Sequence, residues 1–149
     1  MKTTPTIVID ASLAIFNVLD TPFGEMASRV WEKLLRERAS LAAPSLWQYE
    51  VTSVIHKYLF EKKLEQDEAQ QALDIILNFS INLVEGDSTL CHSAFQWADV
   101  LGQKAAYDGF YLALAEKLNA DFWTADEHLV NRARQRGVTW VHWMGEATE

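Results

Sequence analysis

The chain has 149 residues, of which 49% are hydrophobic and 23% charged, and its formal net charge is −8. This length and composition predict one globular domain, 1–149, with a core of its own. The acidic balance excludes a domain that holds a long nucleic-acid duplex through a broad basic surface, because phosphate contacts dominate such binding. No signal segment or membrane-spanning apolar run is present, so we expect a cytoplasmic protein with no membrane partner.

The first predicted strand covers residues 6–9, a β-branched apolar run that is typical of a strand buried on both faces. Asp10 follows it directly, and the apolar residues 13–16 predict a helix after the acid. Capping of that helix would by itself account for Asp10. The position at the carboxyl end of a buried strand equally suits a functional carboxylate.

The next segments predict an amphipathic helix over 24–38 and a strand over 40–44 that ends in proline. Ser45 is expected to cap a long helix that runs to about residue 62. A further helix over 65–78 is expected to pair with it as a helical hairpin set apart from the sheet.

Glu50 stands in the first half of the long helix among Trp47, Tyr49, Val51 and Val54. A carboxylate with such neighbours is rarely placed without a partner. We therefore favour a functional acid here over an exposed helical glutamate.

Two more acids lie in the second half of the chain. A helix over 107–118 carries Asp108 in its first turn, and Asn119 is suited to a left-handed helix end. A strand over 122–124 follows, and Asp126 begins the next helix. The other predicted elements are a strand over 81–84, a helix from Asp87 to Gly102, a helix over 127–135 ended by Gly137, and a strand over 138–142. The single cysteine, Cys91, is expected to be a small buried hydrophobe.

Strands thus alternate with helices about five times. The alternation predicts an α/β fold with a mostly parallel central sheet of four or five short strands and helices on both sides. In such sheets, sites form beyond the carboxyl ends of the strands, so Asp10, Glu50, Asp108 and Asp126 should meet at one edge.

Clustered carboxylates repel one another unless a cation lies between them. Mg²⁺ and Mn²⁺ accept such oxygen ligands and favour phosphodiester hydrolysis by bound water. Ser12 and Thr124 are polar neighbours of the acids in sequence, with capping as an equally good explanation. The histidines lack zinc-ligand spacing, and no glycine-rich phosphate loop is present.

Four segments that contain these acids resemble the motifs of the PIN-domain nucleases, and the similarity is greatest to the VapC-type toxins of toxin–antitoxin pairs. The segments are 7–12, 44–51, 107–115 and 123–126, in that order, and the resemblance extends over residues 6 to about 142. The resemblance implies a three-layer α/β/α sandwich, a Mg²⁺- or Mn²⁺-dependent endoribonuclease, a homodimer and inhibition by a cognate antitoxin. It also implies that Asp10, Glu50, Asp108 and Asp126 are the metal-binding catalytic residues.

Two positions depart from the pattern of many relatives. Phe16 and Asn17 stand where a basic residue is common, and Ser53 stands where asparagine is common. With few local cations expected, Lys104, Arg132 and Arg134 are our candidates for contacts with RNA phosphates. An excess of large apolar residues, including six tryptophans, favours dimerisation through helices of the N-terminal half.

Two other functions compete with a ribonuclease. One is a PIN-fold module that binds RNA or protein and hardly cuts, and the complete set of acids argues against it. The other is a phosphotransfer domain of receiver or haloacid-dehalogenase type. The second of these needs another aspartate where Ser12 stands, and a receiver needs one near Glu85, so we hold this alternative as minor.

Overall fold

Five short strands form one sheet in which all neighbours are parallel, in a computed structural model that describes residues 3–147. The strands are β1 (Thr6–Ile9), β2 (Ser40–Pro44), β3 (Ile81–Val84), β4 (Asp121–Thr124) and β5 (Val141–Trp143). Their spatial order is β3-β2-β1-β4-β5. The chain therefore winds to one side of β1 through β2 and β3, and then to the other side through β4 and β5. The ends of β1 and β4 flank the switch point, where open α/β sheets place their sites.

Helices connect the strands, as the alternating pattern predicted. They are α1 (Ala11–Val18), α2 (Gly24–Arg36), α3 (Leu46–Phe60), α4 (Gln66–Leu77), α5 (Ser88–Leu101), α6 (Tyr107–Leu118), α7 (Glu127–Gln135) and a 3-10 helix (Met144–Glu146). Within residues 3–147, none of these helices is long and apolar enough to cross a membrane.

The sheet separates two hydrophobic cores. Alternate side chains of a strand point to opposite faces, so Val8 and Phe122 enter the larger core while Ile7 and Trp123 enter the smaller one. The larger core contains buried residues of α3 to α7, and the smaller one is closed by α2. The result is the predicted three-layer α/β/α arrangement.

The α3–α4 hairpin forms, but the prediction that it is set apart from the sheet was wrong. Ala69, Ala72 and Ile76 of α4 are buried in the same core as Val8 of β1. Ser45 does occupy the N-cap position of α3, yet its side chain makes no capping hydrogen bond, because its backbone is already in the right-handed helical region. The Ser45 side chain therefore does not cap the N-terminal N–H groups of α3, contrary to the prediction.

Helix α6, which carries Asp108, packs closely on α5. A Cβ added at Gly109 would collide with the carbonyl oxygen of Ala94, so the two backbones meet where only hydrogen occupies the gap. Asn119 ends α6 with a φ of 50°, in the left-handed conformation predicted for it. Both features fix the position of the helix relative to the sheet edge.

Candidate active site

Asp10 joins the ends of the two strands at the switch point. Its Oδ1 accepts a hydrogen bond from the Leu13 N–H at 3.0 Å, which caps α1. Its Oδ2 accepts from the Thr124 hydroxyl at 2.6 Å and from the Ala125 N–H at 3.1 Å. The capping interpretation of Asp10 is therefore confirmed for one oxygen, while the other oxygen faces the end of β4.

Thr124 links Asp10 to Asp126. Its side chain is buried, with 1% exposed, and its Oγ1 also accepts from the Asp126 N–H at 3.0 Å. Asp126 caps α7 through the Leu129 N–H at 3.1 Å, and its side chain is exposed. Thr124 is thus a polar neighbour of two predicted acids, and its hydroxyl fixes their relative position.

Glu50 lies in the first half of α3 and meets α6. The Tyr111 hydroxyl donates to its Oε1 at 2.5 Å. Because charge-assisted O–H···O bonds of this length are the stronger kind, Tyr111 holds the carboxylate in one orientation. The partly buried Glu50 is therefore no exposed helical glutamate.

Asp108 lies in the first turn of α6, but it does not cap that helix. The N-cap position belongs to Ala106, and no side chain bonds the free N–H groups there. Instead, Gln103 Nε2 donates to Asp108 Oδ2 at 2.8 Å. The loop between α5 and α6 thus orients this acid.

The four acids form one electrostatic site. Burial raises the pKa of Asp10 to about 6, against the hydrogen bonds from Thr124, Leu13 and Ala125, and the charge of Asp108 adds to the rise. Burial also raises the pKa of Glu50, where Tyr111 opposes the rise and the charges of Asp10 and Asp108 add to it.

Asp108 completes the electrostatic connection. Burial raises its pKa, the Gln103 hydrogen bond opposes the rise, and the charge of Asp126 adds to it. Arg132 lowers the pKa of Asp108, so this exposed arginine of α7 stands near enough to act on the acids. Carboxylates from four separate segments therefore meet at one edge of the sheet, as their positions predicted.

The other candidate residues are placed less favourably. Arg134 forms a bidentate pair with Glu146, at 2.5 and 2.8 Å, and also donates to the carbonyl of Val141. Lys104 is exposed on the loop before α6. Ser12 is partly buried in the first turn of α1, and no hydrogen bond within residues 3–147 joins it to an acid.

Tyr111 and Gln103 contact the acids but were not predicted as site residues. Tyr111 was assigned to the core face of its helix, and its ring does stack on Phe122 with centroids 5.4 Å apart. A buried tyrosine hydroxyl needs a partner, and Tyr111 is one helical turn beyond Asp108, so the sequence contained a signal. Gln103 had no such signal, because its contact depends on the path of the α5–α6 loop.

The donor set fits a hard divalent cation. It consists of oxygen atoms, and Gln103 adds a buried Oε1 beside Asp108 that has no hydrogen-bond partner within residues 3–147. In that part of the chain, no three acidic, histidine or cysteine side chains are close enough to hold one ion directly. An ion that keeps several waters, as Mg²⁺ commonly does, suits this spacing.

The fold matches that of solved structures. PAE2754 from Pyrobaculum aerophilum superimposes with a TM-score of 0.65 at 19% identity, over 93% of this chain and 84% of that one. VapC20 from Mycobacterium tuberculosis, titled a Sarcin-Ricin loop cleaving toxin, gives 0.62 at 15% identity, over 84% and 93%. A toxin-antitoxin complex from Klebsiella pneumoniae gives 0.61 at 13% identity, over 91% and 94%.

No curated protein matches the sequence. The family model of the PIN domain matches residues 7–135, which include all four acids and most of the chain. The chain belongs to the PIN-domain family.

Proposed function

We propose that the protein is a Mg²⁺- or Mn²⁺-dependent endoribonuclease that hydrolyses RNA phosphodiester bonds. The observation that carries the proposal is the meeting of Asp10, Glu50, Asp108 and Asp126 at the edge where β1 and β4 end. Membership of the PIN-domain family supports nuclease activity at such a site. Within residues 3–147, no hydrogen bond joins a serine or cysteine side chain to the four acids, which favours hydrolysis by water.

The residues have distinct roles in this proposal. Asp10, Glu50, Asp108 and Asp126 would hold the cation, which when bound supplies an activated water and a positive charge against the phosphate. Burial raises the pKa of Asp10 to about 6, and a cation bound beside it would favour its ionised form. Three neighbours orient the acids: Thr124, Tyr111 and Gln103.

Arg132 is the cation best placed to meet RNA. It acts electrostatically on Asp108, whereas Arg134 is already paired with Glu146. We therefore assign phosphate binding to Arg132, with Lys104 as a second contact from the α5–α6 loop.

The proposed biological role is the toxin of a toxin–antitoxin pair, inhibited by a cognate antitoxin. The structures titled VapC20 toxin and toxin-antitoxin complex support this role, since they share the fold over nearly the whole chain. A search for a small open reading frame beside the gene, followed by co-expression of the protein with its product, tests the role. Growth arrest by the protein alone, relieved by the neighbour, is the expected result.

We also propose a homodimer formed by apolar helix surface in the N-terminal half. Leu35 is 75% exposed on α2 and Phe60 is 79% exposed on α3, so both helices present large apolar side chains that a second copy could cover. Sedimentation should report a dimer at micromolar concentration, and Phe60→Asp should shift it to monomer. If the unaltered protein sediments only as a monomer, the proposed homodimer is wrong.

A cleavage assay tests the nuclease. The protein should cut single-stranded or looped RNA, including tRNA, internally with Mg²⁺ or Mn²⁺, and EDTA should stop it. Asp10→Asn and Asp126→Asn should abolish cleavage without unfolding the protein. Asp121→Asn is the matched control, because Asp121 is an exposed acid at the opposite end of β4.

Two results would contradict the proposal. Cleavage by Asp10→Asn at the rate of the unaltered protein would show that the activity comes from a contaminant. RNA binding without cleavage of any RNA in the panel would favour the alternative, a PIN-fold binding module. The spacing of the acids, which are not close enough to chelate one ion directly, is the observation that keeps this alternative open.

A further inference from the structure

A cavity of about 230 Å³ opens at the edge of the sheet where β2 and β3 end. Two helix faces form its walls: Leu46 and Tyr49 of α3, and Tyr107 and Phe110 of α6. Each pair is spaced three residues apart, so its members lie on one face of their helix. Gly86 and Cys91, which follow β3, also line the cavity, together with Pro44 and Ser45 at the end of β2.

The cavity lies next to the acids because α3 and α6 each contribute residues to both. Tyr49 directly precedes Glu50, and Tyr107 directly precedes Asp108. Consecutive residues of a helix are about 100° apart, so each helix presents one face to the cavity and the next face to the acids. The cavity lies beyond β2 and β3, which are roughly 5 and 10 Å from β1 across the sheet.

The chemistry of the cavity differs from that of the acid site. No lining residue is charged, and two tyrosines at its wall are largely in solvent, Tyr49 at 63% and Tyr107 at 62% exposed. Exposed aromatic rings beside a phosphate site are the usual means of holding unstacked bases, because every base has a flat face. The protein has a net charge of −8, and an uncharged cavity suits the uncharged bases of RNA better than its phosphates.

We infer that this cavity, the α3–α6 slot, binds one unpaired nucleobase next to the phosphate that lies at the acids. The inference rests on the proposed function and extends it from the reaction to the recognition of single-stranded or looped RNA. Because the strand order is β3-β2-β1-β4, the slot lies on one side of Asp10, and α7 with Arg132 follows β4 on the other side. An RNA strand that crosses this edge therefore places a base on the tyrosines on one side and a phosphate at Arg132 on the other.

Gly86 keeps the slot open. A Cβ at this position would lie 3.4 Å from Cε1 of Phe110 and 3.7 Å from Sγ of Cys91, in ordinary contact with both. A larger side chain would therefore fill the slot without strain in the backbone. Cys91 is exposed, contrary to the buried position expected from its sequence, and it is the one cysteine of the chain. Its thiol can thus report whether the slot is occupied.

Protection of Cys91 from iodoacetamide, followed by mass spectrometry, is the first test. The protein is Asp126→Asn, to prevent cleavage, in Mg²⁺, and the probe is a labelled RNA tetranucleotide. The control probe has the same ribose-phosphate chain and charge but lacks one base. The complete probe should slow alkylation severalfold and bind more tightly, and the abasic probe should do neither.

Binding by variants is the second test. Tyr49→Ala and Tyr107→Ala should weaken binding of the complete probe roughly 5- to 150-fold, the range found for loss of a stacked base, and Tyr107→Phe should not. Gly86→Val should weaken it while both tyrosines remain. Phe95→Ala is the matched control, because Phe95 is 73% exposed on α5 but does not line the slot.

The outcomes separate this inference from the proposed function. Equal binding of both probes, with no protection of Cys91, would overturn the slot and leave the nuclease intact. No binding of either probe would overturn both. Protection that rises with protein concentration in the absence of RNA would show that a second copy of the chain covers the slot, which also overturns the inference.

Discussion

The Tyr111 hydroxyl donates to Oε1 of Glu50 at 2.5 Å, and this contact joins α6 to α3 in the middle of the acids. Burial and the charges of Glu50, Asp10 and Asp108 raise the pKa of Tyr111 well above its usual range. The hydroxyl consequently keeps its proton at any working pH and serves as a permanent donor. Tyr111 therefore belongs both to the core, where its ring stacks on Phe122, and to the site, where its hydroxyl contacts Glu50.

Tyr111→Phe should remove the hydrogen bond to Glu50 and leave the packing of the ring on Phe122 in place. Loss of a hydrogen bond to a charged group costs about 1.5–3 kcal/mol of the free energy of unfolding, which urea denaturation at pH 7 measures. Because the hydroxyl lowers the pKa of Glu50, its loss should move the acidic limb of the cleavage profile to higher pH. Tyr58→Phe is the control, since no hydrogen bond within residues 3–147 involves that hydroxyl. An unchanged pH profile in Tyr111→Phe would contradict the role assigned to Tyr111.

Stability in EDTA should depend on Asp10. Its pKa rises from 3.8 in the unfolded chain to about 6 in the folded protein, so the folded state binds more protons between these values. The free energy of unfolding should therefore fall as pH rises from 4 to 7, by up to about 3 kcal/mol from this one group. Asp10→Asn should remove that part of the slope in denaturation curves taken across the range. Equal slopes for both proteins would show that Asp10 keeps an ordinary pKa.

Divalent metal should bind weakly and through the acids. Calorimetry should detect Mn²⁺ or Mg²⁺ binding to the unaltered protein and none to Asp10→Asn with Asp108→Asn, because all-carboxylate sites that keep waters are seldom tight. Asp67→Asn with Asp74→Asn makes the same charge change on the exposed face of α4 and serves as the control. Should the first double variant bind as well as the second, the metal lies elsewhere.

Arg132→Ala should weaken RNA binding uniformly across sequences. Removal of one phosphate contact lowers the slope of log K against log salt by about 1, with little effect on the chemical step at saturating RNA. Arg136→Ala provides the comparison, because Arg136 is exposed at the end of the same helix. RNA titrations at several salt concentrations give the slope of log K against log salt for each variant. Identical slopes for Arg132→Ala and Arg136→Ala would place the phosphates away from Arg132.

The fold was accessible from the sequence where local chemistry and tertiary structure agree. The first three strands match their predicted bounds, because each is a short apolar run closed by a proline or followed by an acid. The last strand was predicted over 138–142 but spans Val141–Trp143. Its length is set by β4, whose Phe122 to Thr124 offer partners only to Val141 through Trp143. Pairing between strands distant in sequence is not encoded in either strand alone.

The acids were also predictable, because each stands at a strand end or in the first half of a helix that begins at the same edge. Their orienting partners were less so. Thr124 is two residues from Asp126 and could be named, while Gln103 reaches Asp108 only through the loop that the α5–α6 packing imposes. Helices α2 and α3 end at Arg36 and Phe60, two residues before their predicted ends at 38 and 62. Arg38 and Lys62 adopt φ values of 51° and 60°, the left-handed conformation usually left to glycine or asparagine.

The place of β1 between β2 and β4 has a consequence for the biosynthesis of the protein. Asp10 is translated early, yet two of its three hydrogen-bond donors, Thr124 and Ala125, come from the other side of the sheet. A growing chain can pair β1 with β2 and β2 with β3, but it has no complete acid site until residues 121–126 have left the ribosome. The proposed site is therefore incomplete for most of the synthesis of the protein.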